Sequence, residues 1–215
     1  MRKLVRLGIS LAALCLLFAC STPSDAPKGK ADKAKDGIPS APAKAENEFQ
    51  TGRSAFQKMY VAARTWSPDS QPIRLESSPH TEDPDDGRAA IWKAVFASAS
   101  KQNIRNFSWS GVASDPENGV QPGSLDYYSA ANASTRPFDL NFLKVDSTQA
   151  FEVAEKKGGA ALRKKDLKLP VKYMLFFDST KNRLLWRVIY GASQSGAKLS
   201  VLVSASSGEF VMVEK

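Results

Sequence analysis

The sequence predicts an α+β fold made of two tandem small modules, each a helix packed on a three- to four-stranded antiparallel sheet. Three observations carry that expectation. The first is an internal repeat: Ala90-Ile91-Trp92-Lys93-Ala94-Val95-Phe96-Ala97-Ser98 can be laid on Leu184-Leu185-Trp186-Arg187-Val188-Ile189-Tyr190-Gly191-Ala192. Trp matches Trp, Lys matches Arg and Phe matches Tyr, while Phe56 and Phe151 precede their tryptophans by 36 and 35 residues. Trp109 and Val203 each follow by 17. The second is apolar spacing of three and four residues near 51–67 and 146–165, the period of an amphipathic helix. The third is strict alternation in the segments between, the period of a half-buried strand.

In the first copy, Thr51 or Ser54 starts a helix with Phe56, Met59, Tyr60 and Ala63 on one face, ending before Pro68. Strands follow at 72–77, 90–98 and 104–110, with an acidic loop at 79–87. Residues 116–145 connect the copies. They open as a loop rich in Pro, Gly, Asn and Ser, then alternate Phe138, Leu140 and Phe142 with Asp139 and Asn141, which predicts a half-buried strand over 137–145. In the second copy, Asp146 or Ser147 caps a helix and Gln149 sits where a capping box requires it. Gly158-Gly159 interrupts that helix before 160–165 resumes it. Strands are expected at 171–177, 183–190 and 198–205, with a short return at 209–213 after the turn Ser206-Ser207-Gly208.

The chain begins with a different signal. Arg2, Lys3 and Arg6 precede thirteen apolar or small residues at 7–19, about 20 Å as a helix and too short for a hydrocarbon core of about 30 Å. That is a secretory leader. It ends Leu17-Phe18-Ala19-Cys20, which resembles a bacterial lipobox, in which cleavage precedes a cysteine that takes diacylglycerol. The expected organisation is a lipoprotein signal peptide (1–19), lipidated Cys20 with a disordered linker (20–48), a first module (49–115), the connection (116–145) and a second module (146–215). The two or three acyl chains of such an anchor hold far more firmly than one. Ser21 after Cys20 resembles the signal for sorting to the outer membrane, facing the periplasm. Processing lowers the net charge from +8 to +5 and leaves Cys20 as the one cysteine, so no internal disulfide is expected.

Composition narrows the chemistry. With one histidine, no Gly-x-Ser-x-Gly and no carboxylate in an evidently apolar setting, no catalytic residues are assigned and an enzyme is not expected. His80 stands beside Glu82, Asp83, Asp85 and Asp86, but their spacing fits no calcium loop, so neither a metal nor another cofactor is assigned. Lys156, Lys157, Arg163, Lys164, Lys165, Lys168 and Lys172 face a single acid, Asp166. Such a run is either a solvated helix face or a contact for lipid headgroups, wall polymers or an acidic protein. Export argues against nucleic acid. The residues assigned to a binding surface are Trp109, Tyr127 and Tyr128, with Lys164, Lys165 and Lys168.

The order helix, strand, turn, Trp-bearing strand, strand and then Ser204-Ala205-Ser206-Ser207-Gly208-Glu209 resembles the PepSY domain family. Those modules end in an apolar strand followed by Asp-Ala-x-Thr-Gly-Glu, and Ser204 stands here in place of the Asp. The resemblance covers 146–215 and extends to 51–115 through the repeat. It implies small α+β modules of exported bacterial proteins, without catalytic residues, that bind or regulate proteases. The expected function is that of a membrane-anchored envelope lipoprotein that binds or modulates another envelope protein. The alternative is a carrier or binding protein for an envelope glycan or lipid.

Overall fold

Helix α1 (Gly52–Trp66) follows the short strand β1 (Gln50–Thr51), and the Thr51 side chain caps it by accepting the Ser54 N–H. Ala55, Phe56, Met59 and Ala63 form its buried stripe, as the spacing requires. A computed structural model describes residues 45–214; the expected leader, Cys20 and the linker up to residue 44 lie outside the described residues. The last linker residues are already part of the fold. Glu48 N–H donates to the Gly111 carbonyl at 2.8 Å, and Asn47 accepts from Ala113 N–H at 2.9 Å.

The strands β2 (Gln71–Ser77), β3 (Arg88–Ala89), β4 (Ile91–Ser98), β5 (Asn103–Ser110) and β6 (Gly119–Tyr127) come next. Helix α2 (Ser147–Ala154), a π-helical turn (Glu155–Gly159) and α3 (Ala160–Lys165) lead to β7 (Val171–Asp178), β8 (Arg183–Tyr190), β9 (Leu199–Ser204) and β10 (Phe210–Glu214). Asp146 and Gln149 make the expected capping box. Gly158 takes φ +119°, a conformation open to glycine, and breaks the helix where Gly158-Gly159 predicted it.

The strands expected as two small sheets form one antiparallel sheet of eight, ordered β10-β9-β8-β7-β2-β4-β5-β6. Its seam is β2 against β7, where Leu75 faces Leu175. One buried cluster carries the α1 stripe, Ala150, Phe151 and Ala154 of α2, and inward residues from both sides of the seam. Trp92 and Trp186 meet edge to face at its centre, 6.5 Å apart. Trp92 Nε1–H donates to the Gln50 carbonyl at 3.0 Å, and Trp186 Nε1–H to the Val145 carbonyl at 2.9 Å. In each case the acceptor is the residue just before a helix N-cap.

The connection differs from its expectation. The strand lies at β6, inside the stretch that reads as loop, because Pro122 and Gly123 sit on an outer strand that pairs on one side only. Residues 137–145 do not form a strand. Asp139 caps a single 3-10 turn (Leu140–Phe142), and the buried residues are Phe138, Leu143 and Val145, while Phe142 is half exposed. Their backbone bonds are isolated ones, from Phe138 N–H to Pro72 and from Lys144 and Val145 N–H to Ala205.

The shared core sets two expectations. Calorimetry should show a single unfolding transition for both sides of the seam; two transitions would mean independent units. A Cβ at Gly52 would lie 2.5 Å from Trp186 and 3.1 Å from Trp92. Gly52→Ala should therefore cost roughly 1–3 kcal/mol in urea unfolding by overpacking.

Candidate functional site

At one end of the sheet the acidic loop 79–87 stands opposite the turn 166–170, and between them lies a cleft of about 510 Å³. Its floor is Leu169, Val171 and Tyr173, all buried, with Pro79 and Pro84 on one wall and Arg88, Leu167 and Lys168 at the rim.

The acidic loop is built from its own side chains. Asp83 accepts N–H bonds from His80 at 2.8 Å and from Ala90 at 2.7 Å. Burial pushes its carboxyl up, and those two N–H groups oppose the shift. Glu82 N–H donates to His80 Nδ1 at 3.3 Å, and Asp86 pairs with Arg88 at 2.6 Å. At the loop's end, Ser147 Oγ–H donates to the Gly87 carbonyl at 2.6 Å. The carboxylates thus serve the loop's shape. Among the described residues, no three His, Cys, Asp or Glu side chains are grouped to hold a metal.

The opposite wall hangs on the end of α3. Asp166 N–H returns to the Leu162 carbonyl, its carboxylate takes Lys198 Nζ at 2.9 Å, and Gly191 N–H bonds Pro170 at 2.8 Å. One cation ties the two walls together. Arg163 reaches Asp85 at 2.6 Å through Nη1 and Glu155 at 2.6 Å through Nη2, with Nε–H donating to the second Glu155 oxygen at 3.2 Å. Its guanidinium also lies 5.2 Å from the Phe151 ring centroid. Tyr190 O–H donates to Glu155 at 2.7 Å. Burial alone would raise the Glu155 carboxyl; the bonds from Arg163 and Tyr190 overcome it and hold it below 4.5. Burial and the same carboxylate push the Tyr190 hydroxyl far up, so it stays a donor. Gly159 is needed here because a Cβ would strike that hydroxyl at 1.9 Å.

The residues assigned from sequence divide. Lys164, Lys165 and Lys168 are exposed and without an ion-pair partner among the described residues, and Lys168 stands on the cleft rim. Trp109 is not surface: it is 2% exposed, opposite Trp92, with Lys58 Nζ 4.9 Å from its ring centroid. The alternation that carries Phe107 inward carries Trp109 with it. Tyr127 is exposed, but Tyr128 is buried with Ile73, Ala97 and Ile104, so the three aromatics form no common patch. Sequence reasoning passed over Leu167, which is 86% exposed, the most exposed large apolar side chain described. Its available signal was a leucine directly after the helix-ending Asp166 and between lysines.

The Arg163 network makes a pH-dependent prediction. A carboxyl held below its unfolded value adds stability above about pH 4.5 that is lost as pH falls through the folded value. Arg163→Met should cost about 1–3 kcal/mol in urea unfolding at pH 7. That deficit should shrink at pH 3.5, and an equal deficit at both pH values would refute the linkage. Comparisons of the chain with protein-family models, with curated proteins and with solved structures each return no match.

Proposed function

We propose that the chain is a non-enzymatic lipoprotein of the bacterial envelope that holds another envelope protein, a protease being the class the family resemblance implies. In this reading Cys20 carries the lipid, the protein sits on the outer membrane facing the periplasm, and residues 49–115 and 146–215 are duplicated PepSY-like modules fused through one sheet. Support for the duplication is the mirrored strand order about β2 and β7 and the matching indole bonds of Trp92 and Trp186.

The observation that carries partner binding is Leu167. A leucine presented on a cleft rim, among Lys164, Lys165 and Lys168, offers apolar area beside the cleft for a partner to cover. An acidic protein segment with an apolar anchor matches it: the anchor enters over Leu169, Val171 and Tyr173, and the lysines meet the acids. The carboxylates of Asp83, Asp85 and Asp86 are committed to backbone N–H groups and to arginines, which suits a preformed docking wall.

Two measurements test this. Cys20→Ser should abolish acyl labelling and move the protein out of the membrane fraction; retention of both would exclude Cys20 as the anchor. A photo-crosslinking residue at position 167 in living cells should give one defined protein adduct. The adduct should weaken with Lys164→Glu/Lys168→Glu and be absent from position 61, an exposed site on α1. Equal adducts at 61 and 167, or adducts with lipid alone, would overturn the protein-binding reading.

A further inference from the structure

The sheet face without helices has a site of its own, on the opposite side from the Tyr173 floor. A sheet face that lacks helices is ordinarily polar. Here β8 sends Leu185 and Ile189 to it, both with no exposed surface, and β7 sends Met174 and Phe176. The chain after β6 covers part of this face, where Tyr128 packs on Ile73 and Ile104. Between residues 133–136 and the β7 strand an open groove of about 520 Å³ remains, floored by Ile73, Met174 and Phe176. That volume lies within the range of small-molecule sites, roughly 300–1,000 Å³.

The groove lining carries three arginines, Arg74, Arg136 and Arg187, against one acid, Asp178. Arg187 lies 4.3 Å from the Phe176 ring centroid, and Glu214 neutralises it through bonds of 2.6 and 2.8 Å. Arg74 stands directly across the seam from Phe176. It reaches Glu76 only at 4.0 Å, and Lys172 already takes Glu76 at 3.0 Å. Arg136, 5.4 Å from the Phe177 ring centroid, has no ion-pair partner among the described residues. The one acid in the groove, Asp178, accepts the N–H groups of Thr180 and Lys181 in the following turn. Two guanidiniums are therefore left beside an aromatic and thioether floor. A guanidinium fork matches carboxylate and phosphate oxygens, and the floor matches an apolar body.

We propose that this groove binds an amphipathic anion, an acidic headgroup held by Arg74 and Arg136 with its apolar body laid over Met174 and Phe176. The site is independent of the cleft at Leu167, and either can fail without the other.

Calorimetric titration of the unlipidated chain from Ser21 onward tests it, with laurate, dodecyl phosphate and methyl laurate below their aggregation limits. One of the two anions should bind one to one with Kd on the order of 10 μM. The stronger of them assigns the headgroup as carboxylate or phosphate. Methyl laurate should bind at least ~10-fold more weakly. Arg74→Ala/Arg136→Ala should weaken the anion by a similar factor while its unfolding temperature stays unchanged. Arg64→Ala, an exposed cation on α1 on the helix side, should leave the affinity as it was. Equal binding of ester and acid, equal binding by the Arg74/Arg136 variant, or no saturable heat would overturn the proposal.

Discussion

Two indole rings closing on a glycine fix the centre of this structure. Trp92 and Trp186 come from strands on either side of the seam, and Gly52 at the start of α1 is wedged against both. Each indole is anchored at its far end to the carbonyl just before a helix, so ring position and helix entry are set together. The helix starts then share their caps. Gly52 N–H donates to Ser147 Oγ at 2.7 Å and Arg53 N–H to Asp146 Oδ1 at 2.9 Å, so residues that open α2 also satisfy the first donors of α1. Neither helix can shift without breaking a buried bond of the other.

The cleft inherits this rigidity. Ser147 reaches on to the Gly87 carbonyl, which ties the last turn of the acidic loop to the shared caps. At the loop's other flank, Arg163 is held by Glu155, whose own place depends on Tyr190 rising from β8 through the gap that Gly159 leaves. A chain of hydrogen bonds thus runs from the core to both walls. The groove on the reverse face is framed differently, by a loop on one side and by side chains of the sheet on the other.

Much of this was legible in the residues. The repeat placed both tryptophans on equivalent strands, the caps at Thr51 and Asp146 gave both helix starts, and Gly158-Gly159 marked the break. The failures have physical causes. Strand β6 carries Pro122 and two glycines and shows no burial alternation, since backbone pairing alone holds it to β5. The alternation of Phe138, Leu140 and Phe142 imitates a strand, yet a 3-10 turn rotates Phe142 outward. That the two sheets would merge was hidden because Leu75 and Leu175 read equally well as strands of separate units. Neither the cleft nor the groove has a local signature: the cleft joins residues 79–88 to 167–173, and the groove joins 73–74 to 133–136 and 174–194.

The seam has a consequence for how the chain reaches this state. Every other adjacent pair in the eight-stranded sheet joins strands consecutive in the sheet's own chain order, while β2 and β7 bring together residues 100 apart, such as Leu75 and Leu175. Short-range meanders close cheaply and fast; a contact of that separation carries the largest single loop-closure cost in the sheet and raises the mean contact order. The pairing of β2 with β7 is therefore the longest-range strand pairing that the chain has to close. Until it forms, both seam strands are open edges, and the folding chain is most prone to pair with its neighbours in that interval.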